Sequence, residues 1–195
     1  MIAPQPISFL QLDTFGVISA SLVVATAWIA ARNLGPRGGD RRMSSTIGIA
    51  LQAASWAIAC IGFIKPVLPW WGPSSLVSTT LVLLLGGSAV SLFLSAALTM
   101  GKNWSLVART RDNHQLVRSG PFAMVRHPIY LALLLYLISI AAALGHWQQL
   151  LFAMPLYLAG TFIRIRDEEA LLRARFGEDH ARYAREVAAL IPLIG

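Results

Sequence analysis

Ser119 to Leu144 reads SGPFAMVRHPIYLALLLYLISIAAAL: a Gly-Pro turn, an Arg-His pair and a proline at the mouth of an uninterrupted apolar run. Pro128 suits a first helical position, where its missing N–H costs nothing and its fixed φ is already helical. The backbone N–H groups just beyond it are left without helical partners, and an anion can sit there. The same residues also fit a plain loop-to-helix boundary with basic side chains at a membrane edge. On these residues alone both readings stay open.

Working outward, Ile129 to Leu144 and Trp147 to Ile163 are each about 16 or 17 residues long, marginal for independent membrane spans. The GHWQQ connector between them is too short for anything but a tight helical hairpin, so the two are expected to cross as a pair, with Pro155 bending the second. Upstream lie three longer apolar runs, Leu12 to Ala31, Thr46 to Ile64 and Leu76 to Met100. At 1.5 Å rise, about 20 residues cover a hydrocarbon core of roughly 30 Å. Between the first two, RNLGPRGGDRR (32–42) combines turn formers with four arginines. Between the next two, Pro66, Pro69, Trp70, Trp71 and Pro73 form a proline-broken aromatic link suited to a membrane interface. Gly86-Gly87 fits either a close helix contact or a locally softened helix.

With 56% hydrophobic residues and a mean hydropathy of +0.62, the chain reads as an all-α polytopic membrane protein of about five transmembrane helices. It divides into an N-terminal part, 1–100, holding three spans, and a C-terminal part, 101–195, holding the hairpin and a charged amphipathic helix broken near Gly177. The net charge of +7 raises nucleic acid as a partner only if the basic residues line one groove. Instead 15 of the 16 lysines and arginines fall in 32–42, 101–128 and 164–195, and only Lys65 falls elsewhere. With five crossings those three segments share one side. The positive-inside rule places that side in the cytosol and the N-terminus outside, so the basic surplus answers to topology and anionic lipid, not nucleic acid. The lone Cys60 excludes an internal disulfide framework. The first apolar run has no basic lead and is too long for a signal core, so it is expected to be a retained span.

Arg164 and Glu168 are four apart and share a helix face just where the last span leaves the membrane; Glu169 and Arg173 repeat the spacing on a neighbouring face. Such pairs are commonly surface ion pairs worth at most about 1 kcal/mol. Arg164 directly follows an apolar run, however, and a partly desolvated charge is more often functional. His127 stands at a helix entrance; His114, His146 and His180 complete the histidines. No H-x-x-H, H-E-x-x-H or cysteine cluster exists, so no metal site is expected. G-x-S-x-G, P-loop and G-x-G-x-x-G fingerprints are also missing.

His114-Gln115-Leu116-Val117, Gly120-Pro121-Phe122, Arg126-His127-Pro128-Ile129-Tyr130 and, after the apolar hairpin, Arg164, Glu168-Glu169, Phe176-Gly177 and Tyr183 resemble the C-terminal half of the isoprenylcysteine carboxyl methyltransferase family. The resemblance runs from Trp104 to Pro192 in the family's order and spacing. The wider group includes integral-membrane phospholipid methyltransferases and, more distantly, sterol reductases that bind a nicotinamide cofactor.

The resemblance implies a cytosol-facing pocket for S-adenosyl-L-methionine, closed by the loop, the last two spans and the C-terminal helix, with a lipophilic or lipidated substrate entering from the bilayer. It assigns His114, Gln115, Leu116, Val117, Phe122, His127, Pro128, Ile129, Tyr130 and Glu168 to the cofactor, and Arg164 to the substrate, with Arg164 and Glu168 as the catalytic pair. Phe122 departs from the tyrosine common at its position and lacks the hydroxyl. The function implied is methyl transfer to the carboxylate of an isoprenylcysteine-like or other lipophilic molecule. The alternatives are a phospholipid or amine N-methyltransferase, an NADPH-dependent sterol-type reductase and a non-catalytic membrane scaffold.

Overall fold

The computed structural model describes residues 5–32, 43–101 and 116–191. They form an all-α bundle of five helices: α1 (Phe9–Arg32), α2 (Met43–Cys60), α3 (Pro73–Met100), α4 (Pro128–Leu144) and α5 (Leu150–Glu186). Short 3-10 turns occupy Gly120–Ala123 and Trp147–Gln149. Helices α1 and α3 are each long and apolar enough to cross a membrane, whereas α2 and α4 are shorter apolar helices. Val23 and Val24 of α1, Leu84 of α3 and Leu151, Phe152 and Phe162 of α5 face outward. Apolar side chains on so many outer faces suit contact with lipid more than with water.

Helix α4 is the centre of the bundle. With α1 and α3 it encloses Leu22, Ala25, Ile29, Phe93, Ala97 and Ala132; with α2 and α5 it encloses Ala59, Leu137, Ile140, Leu144, Ala153 and Tyr157. Pro128 opens it at a first-turn position, and Gly145, at φ 70, closes it in the left-handed conformation that glycine adopts without a Cβ penalty.

The connector between α4 and α5 is as short as its sequence requires, but α5 takes α2 as its main partner while α4 lies along α3. A closed two-helix hairpin is therefore not what forms: α2, from the N-terminal part, supplies the surface on which α5 rests. The two run antiparallel. Ser44 Oγ donates to Asp167 Oδ2 at 2.5 Å near one end, and Gln52 Nε2 donates to Thr161 Oγ1 at 2.8 Å further along. Beside these contacts the backbones meet at two glycines, where a Cβ on Gly160 would stand 2.7 Å from the Gly48 carbonyl oxygen and one on Gly48 would stand 2.5 Å from Arg164 Cγ. Small residues permit that approach. In α3, Gly86 is likewise a contact glycine, since a Cβ there would meet Ile18 Cγ2 at 2.7 Å, whereas Gly87 faces open space.

Two boundaries differ from the sequence reading. Helix α2 stops at Cys60 rather than continuing to Ile64, because the carbonyls of Ile61 and Phe63 are drawn to Gln149 and His146. The last span and the amphipathic helix are one element, α5, which runs through Pro155 and departs from helical dihedrals at Gly177 (φ 49, ψ −121).

Candidate active site

The segment from Leu116 to His127 is strapped onto the second half of α5. Gly120, at φ 60, and Pro121 set its 3-10 turn. Beyond the turn, Arg126 N–H donates to the Ala188 carbonyl at 2.8 Å and His127 N–H to that of Ala189 at 3.0 Å. Side chains tighten the strap: Tyr183 Oη donates to the Phe122 carbonyl at 2.6 Å, Arg118 reaches the Asp179 carbonyl at 2.8 Å, and the Arg126 guanidinium spans the carbonyls of Ala184 and Val187. The strap thus delivers Arg126 and His127 to the flank of α5 where Arg164, Glu168 and Glu169 emerge.

His127 sits at the entrance of α4, its carbonyl accepting from Tyr130 N–H at 3.1 Å and Leu131 N–H at 3.3 Å. Its buried ring lies between two carboxylates, with Nε2 at 3.0 Å from Glu169 Oε1 and Nδ1 at 3.5 Å from Glu168 Oε2. The ring also stacks on Tyr130 at 5.7 Å between centroids. In the first turn of α4, Tyr130 is held by Tyr157 Oη, which donates to its carbonyl at 2.6 Å. Tyr130 Oη accepts from Arg164 Nε at 3.0 Å and donates to Glu168 Oε1. The Arg164 guanidinium also lies 5.0 Å from the Tyr130 ring centroid and donates through Nη1 to Gln52 Oε1 at 3.3 Å. A continuous polar chain therefore runs from Thr161 through Gln52, Arg164, Tyr130 and Glu168 to His127, in an otherwise apolar bundle.

Charge explains why it holds. Burial alone pushes the Glu169 carboxyl up, but His127 and the Arg126 guanidinium at 2.8 Å outweigh it and hold the group at about 2. Burial likewise resists ionisation of Glu168, yet the His127 hydrogen bond and charge, Arg164 and Tyr130 hold it below the ordinary carboxylate range. For His127, burial disfavours the charged imidazolium, and the two carboxylates overcome this and raise its pKa. His180, whose Nε2 lies 3.3 Å from Glu169 Oε2, is shifted the other way: burial, helped by Arg126, Arg173 and His127, lowers it despite Glu169.

Of the residues proposed from sequence, Phe122, His127, Pro128, Tyr130 and Arg164 are buried at this end of the bundle, Leu116, Val117 and Ile129 are half-buried, and Glu168 keeps 30% of its side chain exposed. His114 and Gln115 lie outside the described residues. Arg164 and Glu168 do share a face, and the phenol of Tyr130 joins them. Glu169 turns to Arg126, His127 and His180 rather than to Arg173. Arg126 and Glu169 were quoted within the motifs and His180 among the histidines, none of them with a site role, and Tyr157 and Gln52 were not singled out from sequence. Gln52 left a signal of its own, as an amide inside an apolar helix.

These features define a class: an all-helical, apolar-faced bundle with an ionised cluster at one end, built from the loop ahead of α4 and the charged half of α5. Residues 80–174 match the model of the Isoprenylcysteine carboxyl methyltransferase (ICMT) family. The chain is 34% identical over 103 residues to the protein-S-isoprenylcysteine O-methyltransferase of Schizosaccharomyces pombe, a match spanning 51% of this chain and 43% of that protein. It is 31% identical over 109 residues to the enzyme of the same name from Xenopus laevis, spanning 51% and 35%. It is also 35% identical over 116 residues to the cobalt-zinc-cadmium resistance protein CzcN of Cupriavidus metallidurans, spanning 57% and 50%. Over residues 80–174 the chain is similar to that family. Each match spans half or less of the relative's length, and the family match ends before Phe176-Gly177, His180 and Tyr183.

Proposed function

We propose that this protein is an integral-membrane, S-adenosyl-L-methionine-dependent methyltransferase whose acceptor is the carboxylate of an isoprenylcysteine-like or other lipophilic molecule. The observation that carries the reading is the convergence of Arg164, Tyr130, Glu168 and His127, which come from two distant parts of the chain. In this reading all five helices cross the bilayer, the N-terminus lies outside and the ionised end lies in the cytosol. The distribution of arginine and lysine supports that orientation.

The residues present fit the cofactor. Glu168 is the more open of the two central carboxylates, with 30% of its side chain exposed against 15% for Glu169, and it is ionised beside two aromatic rings. It would hold an ammonium, the start of α4 would hold a carboxylate, and Phe122, His127 and Tyr130 would wall the pocket. The cofactor supplies a methyl group on a sulfonium, open to in-line attack. A carboxylate acceptor is ionised near neutral pH and needs no strong general base, so the protein's task is to hold it in line. Arg164 suits this through its planar fork.

Isothermal titration of the protein in nanodiscs with S-adenosylhomocysteine and with NADPH tests the reading. Saturable binding of the nucleoside alone is expected. Tight NADPH binding with no response to the nucleoside would replace it with the reductase. If Glu168→Gln and Arg164→Ala shift the melting temperature but no ligand affinity, the site is a packing device only.

A further inference from the structure

Gln52 stands out from its surroundings. It lies on α2, outside the family-matched residues, in the helix MSSTIGIALQAASWAIAC, and is 3% exposed. A polar side chain inside an apolar span is costly unless its hydrogen bonds are met, and both ends of this amide are met by α5. Its nitrogen donates to Thr161 Oγ1 at 2.8 Å, and its oxygen accepts from Arg164 Nη1 at 3.3 Å. The Gly48–Gly160 crossing one turn away brings the two backbones close enough for this reach. The Arg164 guanidinium is thereby held from two sides, by Gln52 on Nη1 and by Tyr130 Oη on Nε at 3.0 Å. The chemistry of that grip matters. An amide oxygen orients a guanidinium without cancelling its charge, whereas a carboxylate at the same place would neutralise it and repel an incoming anion. The guanidinium, which can only donate, fixes which end of the amide faces it, and the Thr161 hydroxyl is then the acceptor for the amide nitrogen.

We infer that Gln52 is the positioning residue that keeps the Arg164 guanidinium oriented without adding a counter-charge, and so gives the acceptor site its selectivity for an anionic headgroup on a lipophilic molecule. This rests on the carboxylate-acceptor reading above. It also gives α2 a share in the site through one neutral side chain.

The test compares binding of N-acetyl-S-farnesylcysteine with that of its uncharged methyl ester, to full-length protein in nanodiscs saturated with S-adenosylhomocysteine. Wild type, Gln52→Glu and Gln52→Leu are measured in parallel. Wild type is expected to prefer the acid by about tenfold or more, the scale of a charge-assisted contact. Gln52→Glu is expected to abolish the preference, and Gln52→Leu to reduce it several-fold by loosening the guanidinium. Affinity for S-adenosylhomocysteine should stay within about twofold in both, which also reports folding. Should Gln52→Glu fail to fold, Gln52→Leu decides. Variants that keep the wild-type preference, or that lose acid and nucleoside binding in parallel, overturn the role of Gln52 and leave the carboxylate reading standing. Wild type that binds the nucleoside but does not distinguish acid from ester overturns both.

Discussion

The two ends of α4 each carry a buried histidine, and they differ in nearly everything else. His146, just past the C-terminus, places Nδ1 at 3.1 Å from the Ala59 carbonyl and Nε2 at 3.4 Å from that of Phe63. Around it, Gln11 donates to the carbonyls of Ala142 and Ala143, Gln5 N–H to that of Gly145 and Gln149 to that of Ile61. The acceptors in these contacts are backbone carbonyls, and what the contacts achieve is to satisfy helix ends and tie the α4–α5 turn to the 61–68 link. His127, at the other end, is flanked by ionised carboxylates that answer to two arginines. One histidine closes a structure; the other sits in a charge cluster that a ligand could enter. Residue type does not distinguish them, and partner chemistry does.

The largest effect that would sharpen this contrast is on turnover. Arg164→Lys keeps a positive charge but loses the planar fork, so turnover of a lipophilic carboxylate should fall about a hundredfold, with S-adenosylhomocysteine affinity little changed. Equal losses of both, read by kinetics and titration together, would remove the substrate role. Next comes Glu168→Gln, expected to weaken S-adenosylhomocysteine about tenfold by removing a charge-assisted hydrogen bond. At the opposite end, His146→Gln should lower the melting temperature and leave nucleoside affinity as it was. Nucleoside binding that responded to His146 and not to Glu168 would invert the comparison.

A pH scan tests the charged end by itself. The raised pKa of His127 means that its contribution to stability is fully present below the ordinary imidazole value of 6.5 and is lost as pH rises through the raised one. Glu169, held at about 2 against an ordinary 4.5, contributes above 4.5 and loses that contribution as pH falls towards 2. The melting temperature should therefore fall between mildly acidic and alkaline pH. That slope should flatten in His127→Asn.

The smallest effects concern the glycines. Gly160→Ala should separate α2 from α5 and destabilise, since its Cβ would meet the Gly48 carbonyl at 2.7 Å. Gly87→Ala, in open space, should stabilise by up to about 1 kcal/mol. Thermal melts of the two should move in opposite directions.

Much of this was legible. Apolar runs and their turn residues located all five helices, because span length and proline or glycine punctuation are local properties. Pro128 and Gly177 behave as their chemistry dictates, one opening α4 and the other breaking α5. The motif residues His127, Tyr130, Arg164 and Glu168 were identified, and they meet. What escaped was pairing. Glu169 looked committed to Arg173 by helical spacing, but a strap from elsewhere in the chain offers Arg126 and His127, which are better buried partners. The antiparallel fit of α2 on α5 depends on Gly48 meeting Gly160, a coincidence of two surfaces that neither helix announces alone. Gly86 and Gly87 are identical in sequence terms, and only the positions of Ile18 and Ser139 decide which is a contact.

Hydrogen–deuterium exchange of the protein in nanodiscs, with and without S-adenosylhomocysteine, tests most directly whether the strap and α5 enclose a nucleoside. Slowed exchange is predicted across 116–131 and the helix following Arg164, with the turn at 145–149 unchanged. Binding that left the strap's exchange unaltered, or that protected the His146 end instead, would contradict the enclosure.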